Sequence, residues 1–196
     1  VNRLFLGCLL SIAIIHPVFA ALHEGDTAPD FKTRASLAGK AFDYSLQNAL
    51  KKGPVVVYFY PSAYTGGCNI QAHEFSVKHD NFEAADASVI GVSLDSIERL
   101  NDFSADPDFC AGKVAVASDS DGKIAQAYHL KVREASAGKK DTRGIEINHG
   151  FAERTTFVIS PDGKIVATIS DLAPAANVEK ALEVVNQLAD SKKPNW

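Results

Sequence analysis

Cys68, Cys110 and Thr65 are the residues of this chain whose types and spacing suit thiol redox chemistry. A cysteine attacks as its thiolate, so its local setting decides whether it reacts. Cys68 follows Pro61-Ser62-Ala63-Tyr64-Thr65-Gly66-Gly67, in which Gly66-Gly67 allows a tight backbone turn. A cysteine in the first turn of a helix after that turn lies near unpaired backbone N–H groups and the positive end of the helix dipole. Both favour thiolate over thiol, a setting that a purely structural cysteine does not need. In a thiol–disulfide exchanger the position of Thr65 would hold the first cysteine of a C-x-x-C pair. A hydroxyl there cannot form a disulfide; it can hold a substrate oxygen, or simply cap the helix.

The elements that must position these groups are legible around them. Val55-Val56-Val57-Tyr58-Phe59-Tyr60, bounded by Gly53-Pro54 and Pro61, predicts a strand buried on both faces. Residues 72–85 predict a helix with Phe75, His79 and Phe82 on one side. Residues 88–94 predict a second buried strand, and Ser96 caps a short helix turned inward at Ile97 and Leu100. Residues 114–117 read as a weaker strand, residues 119–122 as a turn, and residues 124–130 as a helix. Thr155–Ile159 and Ile165–Ile169 flank Pro161-Asp162-Gly163-Lys164, a hairpin signal. Val178, Leu182, Val185 and Leu188 mark an amphipathic last helix. Alternating strands and helices followed by a hairpin predict an α/β domain with a central mixed sheet flanked by helices on both faces. Residues 22–50 hold a leading hairpin or loop. Residues 132–150 show no period and read as a long surface loop, functional or mobile.

Pro61-Ser62-Ala63-Tyr64-Thr65-Gly66-Gly67-Cys68 resembles the P-x-x-x-T-x-x-C signature of the peroxiredoxins. Gly25-Asp26-Thr27-Ala28-Pro29-Asp30-Phe31, residues 118–128 and Arg154–Gly163 resemble further family segments in the expected order, so the likeness runs from about Gly25 to Leu188. The nearest subgroup is the bacterioferritin-comigratory, or PrxQ-like, peroxiredoxins. The resemblance implies a thioredoxin-like fold and a thiol-dependent peroxidase acting on hydrogen peroxide or organic hydroperoxides. Cys68 would be the peroxidatic cysteine. Thr65 and the backbone near Gly67 would hold the peroxide, Arg154 would add a fixed positive charge, and Pro61 would shield the pocket. Gln71 would brace the arginine. His73 stands where many PrxQ-like members carry the resolving cysteine. Phe109-Cys110 instead resembles the thiol peroxidases, whose resolving cysteine sits on a later helix; this makes Cys110 the candidate, through a Cys68–Cys110 disulfide. The alternatives are a one-cysteine enzyme with an inert Cys110, and a redox-inactive binding module with a permanent bridge. A thioredoxin-like reductant and a monomer are further implications of the likeness.

Residues 1–20, with Arg3, a short apolar run and Val18-Phe19-Ala20, read as a secretory signal peptide cleaved after Ala20. An uncleaved anchor or a buried first helix is the alternative. Export places the protein in the periplasm or outside the cell, with no stable membrane association and an oxidising surround for Cys68 and Cys110. Residues 21–191 then form one domain, and residues 192–196 a tail. Cleavage moves the formal charge from −4 to −5, which gives no basic surface for nucleic acid. His16, His23, His73, His79, His129 and His149 are scattered with no metal-ligand spacing, and no phosphate loop occurs, so neither metal nor cofactor is expected.

Overall fold

A computed structural model describes residues 20–191. The predicted leader and tail fall outside them, apart from Ala20. Nine strands and six helices occur among the described residues. The first hairpin is β1 (Lys32–Leu37) and β2 (Lys40–Ser45), and Ser45 caps α1 (Leu46–Leu50). Next come β3 (Val55–Phe59), α2 (Gly66–Val77), α3 (His79–Ala84), β4 (Ser88–Ser93) and α4 (Ile97–Ala105). β5 (Ala115–Ser118) and α5 (Lys123–Ala127) precede a two-strand clip of β6 (Val132–Arg133) and β7 (Phe151–Ala152). The chain ends in β8 (Thr155–Ile159), β9 (Ile165–Ile169) and α6 (Pro174–Ser191).

The main sheet has the order β2-β1-β5-β4-β3-β8-β9. β3 pairs parallel with β4 and antiparallel with β8, so it lies inside the sheet, where every one of its residues is buried. Alternation sends Val56 and Tyr58 to one core and Val55, Val57 and Phe59 to the other. The first core packs residues of α2, α3, α4 and α6, including Phe75, Phe82, Phe103 and Val185. The second packs Leu46 and Leu50 of α1, Ala125 of α5 and Tyr128. The expected mixed sheet covered on both faces is therefore present. Among the described residues no helix is long and apolar enough to cross a membrane.

Several predicted boundaries shift. The helix expected over 72–85 begins earlier, at Gly66, and breaks at Lys78, whose backbone leaves helical geometry. Phe75 and Phe82 still share one core, their ring centroids 5.6 Å apart across the break. The helix expected over 124–130 stops at Ala127, since Tyr128 turns into the core and donates its hydroxyl to the Pro29 carbonyl at 2.9 Å. Ile97 is only half-buried, whereas Leu100 is fully buried. Cys110 lies on a run of turns after α4 rather than on a helix.

Residues 132–150 are tied down. β6 and β7 clip their ends together, Lys140 bridges Glu146, and Asp141 and Ile147 are buried. This segment lies against the loop that leads into α2.

Candidate active site

β3 delivers the chain to Pro61, and Thr65 occupies the N-cap of α2 with extended backbone. Its side chain does not cap the helix. Thr65 Oγ1 donates instead to the Ser62 carbonyl at 2.8 Å. The hydroxyl proton is thus committed, and the oxygen lone pairs remain to accept a hydrogen bond from a substrate O–H. The first-turn backbone N–H groups are left open by the same choice. Cys68 is the third helical residue, a free thiol and only 2% exposed.

Arg154 reaches Cys68 from the link between β7 and β8. Its Nη2 lies 3.3 Å from Cys68 Sγ, and its Nη1 donates to Gln71 Oε1. Gln71, one helical turn after Cys68, is completely buried and donates to Asn177 Oδ1 of α6 at 3.0 Å. Asn177 Oδ1 also accepts from Thr156 Oγ1 at 2.6 Å, and its Nδ2 donates to the Ile169 carbonyl at 3.1 Å. A chain of hydrogen bonds thus runs from Cys68 through Arg154, Gln71 and Asn177 to the sheet. Gly67 makes room for it: a Cβ there would stand 3.1 Å from Arg154 Nη2.

A second network holds the loop from the other side. Asp95, buried just after β4, accepts from the Ala63 N–H at 2.8 Å, Ser62 Oγ at 2.9 Å and Ser93 Oγ at 2.7 Å. His149 Nε2 donates to Asp95 Oδ1 at 2.8 Å while its Nδ1 donates to the Gly150 carbonyl at 2.8 Å. Both ring nitrogens donate, which is the pattern of an imidazolium. Burial pulls the His149 pKa down, but the hydrogen bond and charge of Asp95 outweigh it and leave it raised. Burial likewise pushes Asp95 up, and the bonds from His149, Ala63 and Ser93 bring it below the ordinary carboxylate value.

Tyr64 joins these parts. Its φ of 59° is a left-handed conformation that a bulky residue adopts only when its surroundings impose it. The Tyr64 carbonyl accepts from the Thr142 N–H at 2.8 Å and Thr142 Oγ1 at 2.9 Å. Its ring packs on Phe103 and Phe109, and the Arg143 guanidinium stacks 3.3 Å from its centroid. Asp141 aligns the cations, accepting from Arg99 Nη2 at 2.8 Å and Arg143 Nη2 at 3.2 Å, and Arg99 Nη2 also donates to the Ala63 carbonyl at 2.8 Å.

Cys110, next to Phe109, is a free and fully buried thiol. Burial, aided by Asp106, pushes its pKa far up, so it is protonated here. Both cysteines share one buried core with Tyr58, whose hydroxyl has no hydrogen-bond partner among the described residues. Cys68, Gly67, Gln71 and Arg154 therefore lie together, with Thr65 at the N-cap of the same helix, Pro61 on the rim of the adjoining cavity and Cys110 in the same core but closed to solvent. Among the described residues His79, Asp80 and Glu83 are the one set with metal-like spacing, on exposed α3, where His79 pairs with both carboxylates.

Sequence reasoning missed Asn177, Asp95, His149 and the fastening of Tyr64. Asn177 carried a signal, a polar residue on the apolar stripe with Val178, Ala181 and Val185. Asp95 and His149 stand 54 positions apart and carried none.

The AhpC/TSA family pattern matches residues 24–168, and the chain belongs to that family. A Helicobacter pylori protein named as a bcp peroxiredoxin is 32% identical over 83% of this chain and 97% of its own length. The structure of peroxidoxin BcpB from Mycobacterium tuberculosis matches with a TM-score of 0.70 at 28% identity, covering 85% of this chain and 98% of that one. The bacterioferritin comigratory protein of Xanthomonas campestris, solved in connection with its alkyl peroxide reduction activity, matches with a TM-score of 0.62 at 27% identity over 80% and 91%. Within the family the chain is a peroxiredoxin of the Bcp/PrxQ subgroup, a thiol-dependent peroxidase with a thioredoxin-like fold.

Proposed function

We propose that Cys68 is the peroxidatic cysteine of this enzyme and Cys110 its resolving cysteine. The observation that carries the first half is the Arg154 guanidinium 3.3 Å from Cys68 Sγ with its other arm fixed by Gln71. A cation held there by buried partners stays in place as charge moves from the sulfur to the peroxide. Thr65 Oγ1 accepts the peroxide O–H, and the open N–H groups of the first helical turn donate to its oxygens. The thiolate attacks the distal oxygen; the O–O bond breaks, Cys68 becomes sulfenic acid, and the alkoxide or hydroxide leaves and takes up a proton. Cys110 then attacks that sulfur, a Cys68–Cys110 disulfide forms and water departs. A dithiol reductant of the thioredoxin type returns both cysteines to thiols.

The disulfide requires the two Cα atoms within roughly 7 Å and Cys110 exposed as a thiolate. With Cys68 in the first turn of α2 and Cys110 fully buried, residues 66–70 would unwind for this and the turn around Phe109 and Cys110 would leave the core. Tyr64 contacts Phe109, so the two movements are joined through its ring. The charged and apolar pattern of residues 1–20 supports export to the periplasm, where the reductant would also have to reside.

Reduced protein treated with one equivalent of hydrogen peroxide should lose both thiols and two hydrogens. Cys110→Ser should instead gain oxygen at Cys68. Wild type that stops at sulfenic acid with the Cys110 thiol intact, or that oxidises no differently from Cys110→Ser, overturns the resolving role.

A further inference from the structure

We propose that Asn177 of α6 is a positioning residue for the peroxidase reaction: it fixes which end of the Gln71 amide faces Arg154, and so holds the guanidinium on Cys68. The inference rests on Cys68 being the peroxidatic cysteine. Two groups whose polarity cannot change stand at the ends of a hydrogen-bonded chain. The Ile169 carbonyl of β9 can only accept, and the Arg154 guanidinium can only donate. Between them lie two amides, each with a donor at one end and an acceptor at the other. Asn177 Nδ2 donates to the Ile169 carbonyl at 3.1 Å, which turns Asn177 Oδ1 toward Gln71. Thr156 Oγ1 donates to the same oxygen at 2.6 Å and locks it there. Gln71 Nε2 then donates to Asn177 Oδ1 at 3.0 Å, and Gln71 Oε1 is left facing Arg154 Nη1. Reversing either amide sets donor against donor at one of its ends and acceptor against acceptor at the other. A carbonyl of the sheet thereby decides the sense of the hydrogen bonds at the reacting sulfur.

An apolar residue would simply continue the stripe on which Asn177 sits, fully buried beside Val178, Ala181 and Val185. Asparagine is a weaker helix former than alanine, and a buried amide costs free energy unless its bonds are made. Asn177 also lies beyond residues 24–168, the stretch that the family pattern matches. The start of α6 borders the cation directly: a Cβ on Gly67 would stand 3.1 Å from Arg154 Nη2 and 3.3 Å from the Pro174 ring. An apolar side chain at position 177 leaves the Gln71 amide nitrogen buried without its acceptor. The amide can then turn away from Arg154 to find another, and the guanidinium loses the group that holds it.

The test measures the second-order rate of Cys68 oxidation by hydrogen peroxide in single turnover, together with urea unfolding. Asn177→Leu should lower the rate about two- to tenfold, the range of one neutral buried hydrogen bond. Asn177→Asp keeps an oxygen to accept from Gln71 and Thr156, so its rate should stay within about twofold of wild type. The same variant loses the donor to the Ile169 carbonyl and should unfold at lower urea than wild type, so rate and stability part company. In an Arg154→Gln background Asn177→Leu should add less than about twofold. Aspartate that slows the reaction as much as leucine, or a leucine loss that persists in full without Arg154, overturns the positioning role and leaves Asn177 a packing residue. Asn177→Ala makes the same comparison if leucine prevents folding. Wild type with no fast oxidation of Cys68 overturns the peroxidatic reading as well.

Discussion

Replacing Gln71 with leucine should slow peroxide reduction without touching the reacting atoms. Gln71 is fully buried and accepts from Arg154, so leucine of similar length removes that acceptor and leaves the Arg154 Nη1 arm unpaired. Asn177 keeps Thr156 as a donor, so the buried network loses one partner and not all. A charge-assisted hydrogen bond contributes about 1.5–3 kcal/mol, and that is the range expected for the loss of stability. If half of it is felt as misplacement of Arg154 at the transition state, kcat/KM falls about four- to twelvefold. Arg154→Gln, which removes the cation itself, should cost on the order of 10²–10³. The two effects run through one group, so Gln71→Leu should add little in an Arg154→Gln background. Rapid-quench alkylation of Cys68 under single-turnover conditions measures all four proteins. A loss of that size that persists in full when Arg154 is already gone would refute the bracing role.

Other consequences follow from the same contacts. Gly67→Ala should crowd Arg154 Nη2 at 3.1 Å and the Pro174 ring at 3.3 Å, push the guanidinium away from Cys68 and lower the second-order rate of Cys68 oxidation by peroxide. Arg143→Ala removes the guanidinium from the Tyr64 ring and should speed disulfide formation relative to overoxidation of Cys68, read as the sulfinic fraction per turnover at fixed peroxide. The Asp95–His149 pair should make stability depend on pH in a defined sense. The His149 pKa is raised from 6.5, so its contribution is complete below that value and is lost as pH rises through the folded pKa. Asp95 is lowered from 3.8, so its contribution is complete above that value and is lost as pH falls through the folded pKa. The stability difference between wild type and His149→Gln in urea should therefore be greatest between these values and shrink above neutral pH; a difference that grows toward alkaline pH would contradict the pairing.

What was legible in the sequence follows from how local each feature is. The strand at Val55–Phe59, the hairpin at Asp162-Gly163 and the α6 stripe are set by residues close together, and the structure agrees on them. Cys68 and Thr65 stood out from their local setting, whereas Pro61, Gly67, Gln71 and Arg154 were singled out through resemblance to the family, since Arg154 reaches Cys68 across 86 positions. Residues 132–150 have no period, yet Asp141, Thr142, Arg143 and His149 anchor them to Asp95, Arg99 and Tyr64. Polar side chains meeting across the fold leave no hydrophobic pattern to read. Phe75 and Phe82 read as one helix because the break at Lys78 preserves the shared face.

The most direct test of Cys68 as the reacting thiol is the second-order rate of peroxide consumption by reduced Cys68→Ser beside reduced wild type and Cys110→Ser. Cys110→Ser should consume its first equivalent of peroxide at the wild-type rate, and Cys68→Ser should show no fast phase. A Cys68→Ser protein that consumes peroxide as rapidly as wild type would contradict the assignment.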